Sequence, residues 1–332
     1  MEGSLNKKTI WRIIIILSIL LSTIFSNLAL AQSDHLSKFS PKVVVLTAFL
    51  PEYNAWQNEK FNRNIEISGL IKPLSCDERD VCIVMTGEGE MNAAIALTIM
   101  IKDASLNLSK TIFIRSGISG GVDDPSSAYG SVYINSWVTS WSFGHHYLND
   151  QKRLDWMQPG CSNYALPGHC NEYTQNLYEN LAYKIDDHLL NIAQESIKNL
   201  QLENSPKAIQ LDKVFGLSTT PTIKIGAVVA GDDYWIGIEN EAIAKKIVKL
   251  YSNNAANYTD TAMEDIGDVA ALSKFGLENH YLSIRSVSDI DVPEPGKTDE
   301  QAWKTINPHE THLAIKNVVL VTKKIVDEIL KY

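Results

Sequence analysis

Beyond Ala31 the sequence has no run approaching the roughly 18 consecutive apolar residues that a membrane-spanning helix needs. A helical pore built from residues 32–332 is therefore excluded. Positive charge is also scarce: 30 Lys and Arg stand against 39 Asp and Glu, a formal charge of −9. Residues 1–31 carry Lys7, Lys8, Arg12 and Glu2, a net +2, which leaves −11 for the remainder. Nucleic acid and anionic membranes demand clustered cations, so neither is an expected partner, whereas a small neutral ligand is compatible. Four cysteines, Cys76, Cys82, Cys161 and Cys170, are spread over 332 residues without a CxxC pair. A zinc site would have to use Cys161, His169, Cys170 and the His145–His146 pair, and no metal-ligand spacing supports it. "HETH", 309–312, spaces its histidines by three rather than in the HExxH pattern, and reads as a helix start. Repeats and domain-scale shifts in composition are absent as well.

What is present at the N-terminus is a basic region, an apolar run over 13–25 and the small–x–small triplet Ala29–Leu30–Ala31. That order describes a secretory signal peptide, 1–31, cleaved after Ala31; an uncleaved anchor is the alternative. Residues 32–40 read as a polar linker and 41–332 as one domain, exported to a periplasmic or secreted location. In an oxidising compartment an even cysteine count suggests disulfides. Of three connectivities the local one, Cys76–Cys82 with Cys161–Cys170, is the simplest.

Within 41–332, the runs "KVVVLTAF", "VCIVMTG", "KTIFIRSG", "SVYINSWVTS", "TIKIGAVVAG" and "HYLSIRSVSD" read as buried strands. Helical spacing marks "MNAAIALTIMIKD", a stretch over 175–200, "NEAIAKKIVKLY", "AMEDIGDVAALSKFG" and the closing "LAIKNVVLVTKKIVDEIL". Alternating strands and helices give an α/β fold, a single domain with a central mixed, largely parallel sheet flanked by helices. The stretch 141–173, rich in aromatics, His, Gly and Pro, reads as a lid or insertion.

The last strand leaves the core through "RSVSDIDVPEPG", 285–296, with Asp289 and Asp291 at its exit and Pro293 and Pro295 beyond. A turn would explain it, since Asp satisfies backbone groups and Pro cannot continue a ladder. A carboxylate at a strand's C-terminal edge is also where open α/β sheets gather ligands. The choice depends on the rest of the chain. "TGEGEMNAA", "SGISGG", "VVAGDDYW", "AMEDIGDVAAL" and "IRSVSDID" follow one another in the order and rough spacing of the nucleoside phosphorylase/nucleosidase superfamily. With "FLPEYNAW", the Cys76–Cys82 pair and "SDIDVPEPG" added, the chain resembles the purine nucleoside permease (NUP) family over essentially all of 41–332.

The resemblance implies a nucleoside phosphorylase-like fold and a purine nucleoside as ligand. Cleaving a purine–ribose bond requires an acid at the base, an anchor for the sugar hydroxyls and a nucleophile below the ring. Asp289 matches the superfamily acid at purine N7, and Asp291 remains a turn or supporting residue. Glu264 matches the glutamate that accepts from the ribose diol, with Met263 packed under the sugar; a helix N-terminus would equally favour that acid. Tyr234 and Trp235 fall where an aromatic meets the base, and Asp232 and Asp233 read as solvated turn residues. Ser119 and Gly120 are expected on the substrate side. Glu52 aligns with the general base of the hydrolases, whereas Arg115 sits where phosphorylases carry a phosphate-binding arginine, or else pairs with Glu88 or Glu90. The two signals conflict, and hydrolysis is favoured over phosphorolysis. No cofactor is expected, with phosphate as a candidate co-substrate. A binding protein that hands purine nucleosides to a membrane transport partner is the alternative without catalysis, and a homo-oligomer is a further expectation.

Overall fold

Val43–Thr47 is five apolar and β-branched residues, all buried, and forms β1 at the centre of the molecule. The structure, a computed structural model, describes residues 38–57, 61–142, 182–305 and 309–332, with the backbone of 145–148 and 154–157. β1 pairs in parallel with β4 (Val81–Met85) on one side and β5 (Ile112–Gly121) on the other. β5 continues in parallel to β12 (Tyr281–Ile290), which runs antiparallel to β6 (Val132–Ser140). β10 (Ile223–Ala230) lies parallel to β6, and β11 (Asp260–Ala262) parallel to β10. β11 then returns to β5, opposite Gly120 and Gly121, and closes a ring of five strands. β3 (Leu74–Cys76) and β2 (Arg63–Ile65) extend the other edge in antiparallel fashion, and β9 (Ala182–Lys184) pairs with β6. The result is the expected mixed α/β sheet, with parallel pairing concentrated at its centre.

Helices cover the faces: α1 (Leu50–Gln57), α2 (Glu90–Lys102), α3 (Asp187–Ser196), α4 (Pro206–Phe215), α5 (Ile238–Tyr251), α6 (Asp265–Ser273), α7 (Asp299–Thr305) and α8 (Thr311–Ile329). α8 lays Leu313, Ile315, Val318, Val321 and Ile325 against β12 and β5 as its buried stripe. α4 carries a full set of end signals. Ser205 Oγ accepts from the Ala208 N–H, Pro206 opens the first turn, and Gly216 closes the helix at φ 74°.

Three expectations change. The helix over 175–200 gives way: Ala182–Lys184 is strand β9 on β6, and α3 starts at Asp187, where the Asp186 carboxylate caps the His188 and Leu189 N–H groups. The third strand, expected over 110–117, is longer: it continues through the glycine-rich "SGISGG", since β5 runs to Gly121. "AMED" belongs to the β11–α6 junction, so α6 begins at Asp265.

Cys76 and Cys82 face each other across β3 and β4 as a disulfide. Cys161–Cys170, the signal peptide and residues 32–37 of the linker lie outside the described residues. Of the stretch 141–173, Trp141 and Ser142 are described, together with an antiparallel ribbon of β7 (His145–Leu148) and β8 (Leu154–Met157). No helix among the described residues is long and apolar enough to cross a membrane.

α6 and α2 touch backbone to backbone. A Cβ at Gly267 would sit 2.0 Å from the Glu90 carbonyl oxygen and 2.7 Å from its carbon. Backbone atoms cannot swing aside as a side chain can. Gly267→Ala is therefore expected to destabilise the protein by about 1–3 kcal/mol, measured as a lower urea midpoint. An unchanged midpoint would mean that the two helices separate freely.

Candidate active site

A cavity of about 240 Å³ opens where β5, β12, the β1–α1 turn and the β11–α6 junction meet. Eight of the nine residues singled out from sequence line it: Glu52, Ser119, Gly120, Tyr234, Trp235, Met263, Glu264 and Asp289. Arg115 is the exception.

At one end lies Glu52, on the first turn of α1 and 2% exposed. Its Oε2 accepts from the Ala48 N–H at 2.7 Å and its Oε1 from the Ile118 N–H at 2.8 Å. Burial and the neighbouring Glu264 push its pKa up, Arg285 and the two N–H groups pull it down, and the balance falls at about 7. Arg285, missed from sequence, organises this end. Its Nε donates to Asp265 Oδ2 at 2.9 Å, its Nη2 to Glu264 Oε2 at 2.8 Å and to Asp265, and its Nη1 to the Ile118 carbonyl at 3.0 Å. A Cβ on Gly117 would lie 2.6 Å from Arg285 Nη1 and 2.8 Å from Glu52 Oε1, so glycine is what lets the two groups converge. The other oxygen of Glu264 accepts from the Gly89 N–H at 3.1 Å, which ties α6 to the turn before α2.

Asp289 lies at the other end, four residues and about 13 Å of strand beyond Arg285. The register of β12 on β5 slips between Val287 and Asp289, so Ser288 is an extra residue and the bulge re-aims the side chains around it. Ser288 Oγ donates to Asp289 Oδ1 at 2.7 Å and Tyr234 Oη to Asp289 Oδ2 at 3.2 Å. His309 Nδ1 is 3.4 Å from Asp289 Oδ1. Tyr234 leans on Trp303, ring centroids 5.5 Å apart, and Trp235 stacks on Trp141 at 4.9 Å, so the aromatic wall has its own backing.

Asp291 is a supporting residue. It is buried and accepts from Tyr258 and from Thr261 Oγ1, the latter at 2.9 Å, which fastens β11 behind the cavity. Asp232 is not a solvated turn residue: its Oδ1 accepts from the Glu90 N–H at 2.6 Å, at the start of α2. Asp233 lines the cavity and accepts from Trp141 Nε1 at 3.3 Å.

Arg115 needs a larger correction. It is 0% exposed and off the cavity wall, and its partner is neither Glu88 nor Glu90. Nε and Nη2 grip the two oxygens of Asp268, each at 2.7 Å, and Thr86 Oγ1 takes the remaining contacts at 3.2 Å. Four of its five N–H donors are engaged in this way, and the guanidinium is buried away from the cavity, out of reach of a ligand phosphate there. Among the described residues, the basic side chains on the cavity wall are Arg285 and His309. "HETH" does start a helix, as expected, yet its first histidine belongs to the site.

The architecture is that of the nucleosidases. The chain superposes on the 5'-methylthioadenosine/S-adenosylhomocysteine nucleosidase of Neisseria meningitidis, solved with methylthio-immucillin-A. The TM-score is 0.52 at 16% identity, covering 87% of this chain and 98% of that one. Futalosine hydrolase of Helicobacter pylori gives a TM-score of 0.56 at 13% identity, with the same coverage of 87% and 98%. The sequence narrows this further: the purine nucleoside permease (NUP) family profile matches residues 40–332, and the chain belongs to that family. A probable purine nucleoside permease of Schizosaccharomyces pombe is 26% identical over 323 residues, 89% of this chain and 91% of that protein. The purine nucleoside permease of Candida albicans is 24% identical over 310 residues, 88% and 76% respectively.

Removing one partner of a buried ion pair strands the other charge. Arg115→Met is expected to lower stability by about 3–5 kcal/mol, measured by chemical denaturation. Phosphate should leave the stability of the parent protein unchanged. A variant of full stability, or a parent stabilised by millimolar phosphate, would return Arg115 to a ligand role.

Proposed function

We propose that the chain binds a purine nucleoside in this cavity and hydrolyses its N-glycosidic bond. The observation that carries the reading is that two carboxyl groups of different environment, Glu52 and Asp289, line one cavity. Glu52 sits dry, on two backbone N–H groups, with a pKa of about 7 that suits a general base. In the proposed reaction its carboxylate takes a proton from a water molecule. The water oxygen bonds to C1' of the sugar as the C1'–N9 bond breaks. The electron pair passes into the purine, and Asp289 delivers a proton to N7. Glu264 accepts from the ribose hydroxyls, Met263 packs beneath the ring, and Tyr234 and Trp235 flank the base.

Water rather than phosphate is the favoured nucleophile because of where the cations are. Arg115 is committed to Asp268, and Arg285 is neutralised by Glu264 and Asp265. An acidic cavity repels a phosphate dianion and favours the positive charge that develops on the sugar. The Cys76–Cys82 disulfide agrees with an oxidising, exported setting. The permease-named relatives favour a second reading, a nucleoside-binding protein that passes its ligand to a membrane transport partner without turnover.

Base release from inosine, adenosine and guanosine, with and without phosphate, separates these readings. Release without phosphate is expected, falling by at least about 100-fold in Asp289→Asn and in Glu52→Gln. A base works only when deprotonated, so kcat/KM should rise with pH through about 7. Release that requires phosphate would make phosphate the nucleophile. Binding with no turnover in either buffer would leave the uptake protein.

A further inference from the structure

His309 lines the cavity beside Asp289, yet neither the sequence motifs nor the reaction above gives it a task. We propose that it is a positioning residue that returns a proton to Asp289, the two side chains working as one renewable acid on the departing purine. This rests on the hydrolytic reading.

The geometry is built from both sides of the ring. The Lys207 ammonium donates to the His309 carbonyl at 2.8 Å and pairs with Glu310 Oε1 at 2.8 Å. Ser205 Oγ donates to Glu310 Oε2 at 3.0 Å, and the Glu310 N–H donates to the Ser288 carbonyl at 2.7 Å. The residue is thus pinned to β12 and α4 at once, and its ring is held over the oxygen of Asp289 that also accepts from Ser288. At 3.4 Å the contact is longer than an average N–H···O bond, and such contacts tighten when substrate binds. Exposure divides the labour. The Asp289 side chain is 8% exposed, while that of His309 is 29% exposed and can exchange protons with water.

The chemistry calls for such a partner. Once Asp289 has passed its proton to N7 it is a buried carboxylate, and its hydroxyl neighbours, Ser288 and Tyr234, bring no net charge. Protonated His309 can hand the Nδ1 proton to Oδ1 of Asp289 and recover one from water. The groups facing His309 are Asp289 and, through it, Tyr234, together with Lys207 on α4, whose own partner is Glu310. The hydrogen bond to Asp289 raises the His309 pKa above its ordinary value, against burial and Lys207, which lower it.

His309→Gln keeps a polar side chain but cannot relay a proton. It should be assayed beside Asp289→Asn on inosine and on 7-methylinosine, whose blocked N7 needs no acid. We expect His309→Gln to lose about 10- to 100-fold in kcat on inosine and to stay near wild type on 7-methylinosine. The alkaline limb of its pH profile on inosine should move to lower pH. Equal loss on both substrates, or on neither, overturns the inference. If Asp289→Asn loses inosine turnover while His309→Gln does not, only the inference falls. Wild-type protein that turns over neither nucleoside, or an Asp289→Asn variant as active as wild type, overturns the hydrolytic reading and this inference together. NMR titration of the His309 ring in unliganded protein is independent of turnover: its pKa should fall in Asp289→Asn. Identical titrations in the two proteins would also overturn the inference.

Discussion

Two buried arginines on neighbouring strands hold this molecule together at its functional end. Arg115 on β5 and Arg285 on β12 both reach the first turn of α6, where Asp268 takes one guanidinium and Glu264 and Asp265 take the other. Ion pairs this deep stabilise little in net terms, because desolvation offsets most of the attraction. Their effect is positional. They seat α6 on the sheet, and Gly267 then lets it press against α2. Glu264, the Gly89 N–H and the Ile118 peptide follow from that placement.

The same arrangement sets the cavity's electrostatics. Basic side chains are present, but the core consumes most of their charge. Glu52, Glu88, Asp233, Glu264 and Asp289 meet the cavity against Arg285 and His309, so the wall is acidic. Burial outweighs the pull of Arg285 on Glu52, and Glu264 adds a smaller push in the same direction as burial, which is why its proton is held to about pH 7 rather than lost in the usual carboxylate range.

Much of this was legible in the order of residues. The buried strands declare themselves through β-branched runs such as Val43–Val45, and α8 through its apolar stripe, because burial selects those patterns directly. Eight cavity residues could be named because each falls within a motif, at a strand or helix end or in the connection that follows one. Arg115 was misplaced for a physical reason: sequence shows a cation beside glycines but not the acid that will claim it from 153 positions away. Arg285 was passed over because a lone basic residue has no periodicity, and His309 because "HETH" reads as the start of a helix. The bulge at Ser288 was equally hidden, since register is a relation between two strands. β9 was read as helix because three residues carry too little pattern to compete with the capped helix that follows.

The pairing of β5 with β12 joins strands that are far apart along the chain. Glu52 comes from near the beginning of the domain, and Asp289 and the helix that covers β12 come from its end. One edge of β5 therefore has no partner until β12, far downstream in the sequence, is in place. Closure of such a distant contact is slow compared with local folding. The cavity is therefore complete only once that distant pairing has formed, because Glu52 is held by the Ile118 N–H on β5 and Asp289 stands at the end of β12.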